Sequence, residues 1–205
     1  MLPLLIFPCN GNAVEALDCL GTTYQCIAFI DDDETKQRAG AFGYSVRSRS
    51  ALNESATASV LAVPGSPASY RMRREIISSL GINEGRFATV IHPSARVSPL
   101  AKIGHNVLIM AGAVVTSNAV IGNHVCILPN SVVHHDAVIG SWSLIGSNTV
   151  IAGSTVVGEN CYIGSGSNIM NGLQVGSTAL VGIGSNVIRD VAAGTRVVGN
   201  PAREI

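Results

Sequence analysis

From Ile91 to Val187 every sixth residue is valine or isoleucine without exception, through Ile91, Val97, Ile103 and Ile109 to Val175, Val181 and Val187. Neither an α-helix nor a lone amphipathic strand has that period, since helices repeat near 3.6 residues and strands at two. A six-residue period fits a solenoid of short flat strands that meet at corners, with the branched side chain turned inward. The rest of the hexad agrees. Four residues after the aliphatic position the side chain is usually small, as at Ala95, Ala113, Ser131, Ser143, Thr155 and Ser167. Glycine often follows the aliphatic position directly, as at Gly104, Gly122, Gly140, Gly164 and Gly182, where it eases a corner.

Before residue 90 the pattern is different. LPLLIF (2–7) and YQCIAFI (24–30) read as buried strands, SVLAV (59–63) as a third, and VEALDCLG and YRMRREIISSLG as helices ended by Gly21 and Gly81. Strand–loop–helix in succession argues for a small parallel sheet with crossover helices. The chain therefore divides into an α/β unit, residues 1–88, and a β-solenoid, residues 89–205. Ligands of such sheets bind beyond the carboxyl ends of the strands. That gathers the loop Cys9-Asn10-Gly11-Asn12-Ala13, the acidic run Asp31–Asp33 and the turn Pro64-Gly65-Ser66 around one potential site. Arg71, Arg73 and Arg74 read as a solvated helix face.

Composition narrows the function classes. Acidic and basic residues balance at 13 each, so no general attraction to nucleic acid or to an anionic membrane is implied. No apolar run reaches the roughly 20 residues of a membrane span, and MLPLLIF lacks the basic flank of a signal peptide, which reads as cytoplasmic. The 5 cysteines are an odd number without a CxxC pair, so neither a disulfide framework nor a zinc site is suggested. From Val97 to Val187 the only formal charges are Lys102, Asp136 and Glu159. Faces so poor in charge point to a partner subunit.

The hexad repeat, the HPSA stretch at 92–95 and the ending VVGNPAR (197–203) together resemble the hexapeptide-repeat sugar acetyltransferases of bacterial glycan biosynthesis. These include N-acetyltransferases of nucleotide-linked amino sugars and sialic-acid O-acetyltransferases. The resemblance covers essentially the whole chain. It implies a Rossmann-like nucleotide-sugar domain followed by a left-handed parallel β-helix with three hexads per coil. It also implies a cytoplasmic homotrimer with acetyl-CoA as co-substrate, no metal, and active sites between subunits.

Acetyl transfer from a thioester needs a base for the proton of the attacking amine or hydroxyl, and histidine suits neutral pH. The family motif of aliphatic, any residue, His, acid falls on Val133, His134, His135 and Asp136. The resemblance thus makes His135 the general base and Asp136 its polarising partner, and assigns His134 no proton. One physical condition attaches: neighbours on a strand point to opposite faces, so the pair meets only if a corner bends the backbone there. For the acyl carrier the resemblance implies a groove lined by Leu144, Gly164, Ser165, Gly182 and Ile183, with Arg189, Arg196 and Arg203 either near the coenzyme phosphates or simply solvated. Leu144 stands where close relatives commonly have a second histidine. For the nucleotide sugar it implies Gly11, Asn12, Asp31, Asp32 and Gly65, with Asn12 in place of the usual histidine.

Two alternatives stand beside amine acetylation: the same chemistry on a sugar hydroxyl or on serine, and a non-catalytic repeat scaffold. His105 and His124, 19 positions apart, raise the thought of a β-helix zinc enzyme. Surface or interface histidines account for them more simply, since no H-x4-H pair accompanies them.

Overall fold

The computed structural model describes residues 1–205. Its first part is a four-stranded parallel sheet in the order β3-β2-β1-β4, built from β1 (Leu2–Phe7), β2 (Tyr24–Ile30), β3 (Val46–Arg47) and β4 (Ser59–Ala62). The chain reverses direction across the sheet between β1 and β4, so the loops leaving those two strands flank the crevice where α/β sheets take ligands. The helices are shorter than the sequence suggests. α1 spans Gly11–Glu15 and tightens into a 3-10 turn over Ala16–Cys19, while α2 (Glu34–Ala39) and α3 (Ala51–Glu54) lie in a stretch with no strong apolar period. α4 covers Arg73–Ser78 after a 3-10 turn at Tyr70–Met72.

The second part is the left-handed parallel β-helix. Two-residue strands stack 18 positions apart, for example Val120 on Val138 and Cys126 on Leu144, which makes three flat faces. One face runs from Val90–Ile91 through Leu144–Ile145 to Leu180–Val181 and closes with Arg196–Gly199 and an antiparallel Ala202–Glu204. A second runs from Arg96–Val97 to Asn186–Val187, and a third from Lys102–Ile103 to Gln174–Val175. The sixth-residue aliphatics from Ile109 to Val187 fill the prism and are all buried. Ile91 departs from the inward pattern at 39% exposure, and Val97 and Ile103 are half-buried, because no coil lies beneath the first turn to cover them.

Each corner is turned by a residue in the left-handed region. From position 106 to position 184 every sixth residue has positive φ: Asn106, Gly112, Asn118, His124, Asn130, Asp136, and so on. Asparagine and glycine reach that conformation at least cost, which explains their place in the hexad. Below them, Ser131, Ser143, Thr149 and Ser167 are fully buried, and each bonds a carbonyl of the neighbouring coil.

The α/β part sits on the first face, and the two share a core. Leu108, Cys126 and Leu144 point outward from the prism into a cluster with Leu4, Ile6, Phe29 and Leu61. Asn106 ties the parts together by polar bonds: its Oδ1 accepts from Ala62 N and its Nδ2 donates to Ala62 O, both at 2.8 Å.

Candidate active site

The strand Val132–Val133 ends before His134, and with φ +60 at Asp136 the chain turns sharply. That turn meets the condition set by strand geometry. His135 Nδ1 and Asp136 Oδ2 lie 2.8 Å apart on an exposed corner. Asn118, one coil below, donates from Nδ2 to the other carboxylate oxygen at 3.1 Å. The bonds from His135 first, and from Asn118 second, hold the Asp136 carboxyl below its ordinary range, so it is ionised at neutral pH. An ionised acceptor at Nδ1 selects the tautomer that carries its proton there and leaves the lone pair on Nε2. One coil above, Gly153 makes room for the ring: a Cβ at that position would fall 2.7 Å from His135 Nε2 and Cε1. His134 is half-buried and takes no part in this arrangement.

The nucleotide-side residues separate into two groups. Asn12 and Gly65 line one cavity of about 230 Å³ between the α/β part and the prism, together with Ser66, Leu128, Leu144 and Tyr162. Behind it the Asn10 side chain caps α1 by accepting from Ala13 N and donates to Val63 O, joining the two loops at the crevice. Burial pushes the Tyr162 phenol up, so it remains a hydrogen-bond donor at the edge of this cavity. Gly11 is exposed and lies in open space. Asp31 is buried, accepting from Cys9 N, Asp33 N and Lys36 Nζ, so it organises the loops behind the cavity. Asp32 is engaged by Arg49 through both carboxylate oxygens.

The groove residues fall on the corner that follows the first face. Leu144 is buried and belongs to the Asn12–Gly65 cavity. Gly146, Gly164 and Gly182 stack up this corner, and their need for glycine comes from the next coil. A Cβ on Gly164 would meet Ile183 N at 2.6 Å, and one on Gly182 would meet the Val198 side chain at 2.9 Å. Ser165 accepts from Ser147 N within the stack, whereas Ile183 stands 71% exposed. Arg189, Arg196 and Arg203 are exposed, and Arg189 and Arg203 share the closing end of the prism with Asp190 and Glu204.

The His135 corner and the Leu144–Gly182 corner are different edges of the prism, separated by the whole second face. Six residues of strand span roughly 20 Å. One chain therefore does not bring His135 to its own cavity.

Two expectations need correction. Arg73 is not part of a solvated face but is buried, while Arg71 bonds Gly194 O and Arg74 lies over the Trp142 ring. His124 is likewise buried, edge-on to His105 and Phe87 and stacked on Trp142. No group of three metal-ligating side chains is assembled anywhere in the chain.

The family model of the bacterial transferase hexapeptide (six repeats) matches residues 100–134 and 118–153. Among curated proteins no sequence matches. Among solved structures, the acetyltransferase domain of PglB from Neisseria gonorrhoeae is 28% identical over 100% of both chains, with a TM-score of 0.87. PerB from Caulobacter crescentus, solved with CoA and GDP-perosamine, is 26% identical over 100% of this chain and 97% of its own, with a TM-score of 0.84. WeeI from Acinetobacter baumannii is 25% identical over 100% of both, also with a TM-score of 0.84.

Proposed function

The chain belongs to the hexapeptide-repeat sugar acetyltransferases, and from that premise we propose that it transfers the acetyl group of acetyl-CoA to an amino group of a nucleotide-linked sugar, with His135 as general base. The observation that carries this reading is the His135–Asp136 pair on an exposed corner, with the imidazole ring set over Gly153. The neutral amine attacks the thioester carbonyl, and its proton passes to Nε2 as the C–N bond forms. The resulting imidazolium is stabilised by the Asp136 carboxylate, which Asn118 steadies. Collapse of the tetrahedral intermediate expels the thiolate of coenzyme A, which takes the proton back from Nε2, leaving an amide and a free thiol.

Binding is divided along one corner. Asn12, Gly65, Ser66 and Tyr162 offer amide, backbone, hydroxyl and phenol groups to the sugar nucleotide. Ile183 and Ser165 flank the arm of acetyl-CoA farther up the same corner. Because the base stands a full face away, the working site is built where one copy's His135 corner meets another copy's cavity. A closed ring of three parallel prisms meets that need and covers faces such as Val120, Val138 and Val156, whose outward side chains carry no charge. The PerB complex with CoA and GDP-perosamine supports the choice of an amino-sugar nucleotide as acceptor. So do the solved variants of that enzyme with one histidine replaced by alanine or asparagine.

The test is thioester cleavage with a panel of nucleotide-linked amino sugars, for wild type and His135→Ala. The expected loss of kcat in the variant is roughly 10²–10⁴-fold with little change in acetyl-CoA affinity. His134→Ala should keep most activity. Full turnover by His135→Ala with an accepted sugar would move the base elsewhere.

A further inference from the structure

Arg73 opens α4 and is 1% exposed, yet it takes part in none of the chain's ion pairs. Its fork donates instead to carbonyls of three separate segments: Nε to Trp142 O at 2.8 Å, Nη2 to His124 O at 2.6 Å, and Nη1 to Pro64 O. Trp142 and His124 are corners of two successive coils; Pro64 begins the loop after β4. The next residues of that loop, Gly65, Ser66 and Pro67, form one wall of the cavity, and Leu144 of the prism is also part of its lining. Gly65 is pressed against both. With φ +123, it leaves so little room that a Cβ would fall 2.9 Å from Leu144 Cδ1 and 3.1 Å from the Arg73 stem.

A buried cation without a counter-charge is costly, and an apolar side chain of similar volume would fill the same space more cheaply. Packing alone therefore does not explain an arginine here. The fork does, because only a planar group with several N–H donors reaches three carbonyls at once. The charge has a second consequence. Every residue lining the cavity is formally neutral, so the positive charge behind Gly65 sets the sign of that wall. Burial pulls the guanidinium down to about 10, which leaves it cationic at neutral pH.

We infer that Arg73 is a positioning residue for the acceptor: it fixes the Pro64–Gly65–Ser66 wall at a set distance from Leu144 and gives a neutral cavity a positive backing suited to a diphosphate. This rests on the reading of that cavity as the nucleotide-sugar site. Arg71 supplies the control, since it also clamps the helical segment to the prism, through Gly194 O, but makes no bond to the loop at residues 64–66.

The experiment compares Arg73→Met, Arg73→Lys and Arg71→Ala with wild type in acceptor kinetics, acetyl-CoA binding, thermal melting and crystal structure. Arg73→Met should raise KM for the nucleotide sugar roughly 30-fold, with kcat within about threefold and acetyl-CoA affinity unchanged. Arg73→Lys keeps the charge without the fork and should recover about half of that loss on a logarithmic scale. Arg71→Ala should lower the melting temperature and leave KM alone. An unchanged KM in the Arg73 variants, or an equal change in Arg71→Ala, would reduce Arg73 to a structural clamp and overturn the inference. If Arg73→Met does not fold, Arg73→Lys alone carries the kinetic test. Should wild type acetylate no nucleotide-linked amino sugar, the functional reading fails on its own. The crystal structures then decide the present point, because a wall at residues 64–66 unmoved in Arg73→Lys contradicts it and a displaced one supports it.

Discussion

At the scale of the residue, the proposed base, His135, is held by what lies above and below it. Asn118 fixes Asp136, Asp136 fixes the tautomer of His135, and Gly153 leaves the ring its place. Gly153→Ala isolates the last of these. Gly153 is not in the left-handed region, so alanine suits its backbone, and the atoms it would meet are the free end of an exposed side chain. The fold should absorb the change with a melting temperature within a few degrees of wild type. The imidazole must swing away, and kcat should fall about tenfold or more, since small misplacements of a catalytic group are expensive. A variant that melts normally and turns over normally would show that the ring's position on Gly153 is irrelevant. The His135–Asp136 pair was legible in the sequence from its motif and from the scarcity of other charges. Gly153 and Asn118 carry a sequence signal as well, since the 18-residue coil sets them directly above His135 and below Asp136. Arg73 had a signal of its own: Tyr70, Arg73, Ile77 and Leu80 fall on one helical stripe, and all four are buried. Asp31 gave no such sign, because its role depends on where Cys9 and Lys36 come to rest.

At the scale of the element, the prism could be read from the sequence nearly residue by residue, because each hexad meets its copy 18 positions on and local rules suffice. The α/β part was less legible. Its short helices owe their place to the shared core, and β3 pairs through only two residues, Val46 and Arg47, which no local pattern announces. The junction between the parts rests on Asn106, which is buried, bonds both backbone groups of Ala62, and reaches His124 Nδ1 at 3.0 Å. Asn106→Ala should cost about 3–4 kcal/mol, from orphaned buried groups and from a left-handed backbone at φ +52. Asn106→Gly loses the same bonds but accepts that backbone, and should be less destabilised by about 1 kcal/mol. Chemical denaturation of the two variants measures the difference, and equal losses would remove the conformational part of the argument.

The same junction makes stability depend on pH. Burial first, and then the charges of His105 and Arg73, pull His124 down from its ordinary 6.5 to about 4. A histidine whose pKa is depressed in the folded state binds its proton more readily when unfolded. Its contribution is complete above about pH 6.5 and is lost as pH falls from there toward 4. The loss should approach about 3 kcal/mol once the pH falls to the folded-state value. Trp142 is the only tryptophan and stacks on His124, so its fluorescence reports this corner directly. Melting curves followed at Trp142 should shift down between pH 6.5 and 4.5 in wild type and much less in His124→Gln. Equal shifts in both would assign the acid sensitivity to other groups.

At the scale of the whole molecule, a proposed base on one edge and a cavity on another require assembly, and that requirement can be tested once an accepted sugar is in hand. His135→Ala removes the base but leaves the cavity intact. Ser66→Trp fills the cavity, at an exposed loop position where bulk does not disturb the core, but leaves His135 intact. Each variant alone should be nearly inactive. Unfolded together and refolded as a mixture, they should form mixed rings. A site that joins the His135 of one copy to the cavity of the next is then intact whenever an Ser66→Trp copy supplies the base to a His135→Ala copy. With equal amounts and random assembly that combination arises in about one quarter of the sites, so the mixture should regain up to roughly a quarter of wild-type turnover. Sedimentation of the wild type should give a trimer, and salt should not dissolve it readily, because the faces that meet carry almost no charge. A mixture that stays inactive while forming mixed trimers would mean that base and cavity are used within one chain. That outcome would contradict the separation of the two corners from which the shared site is argued.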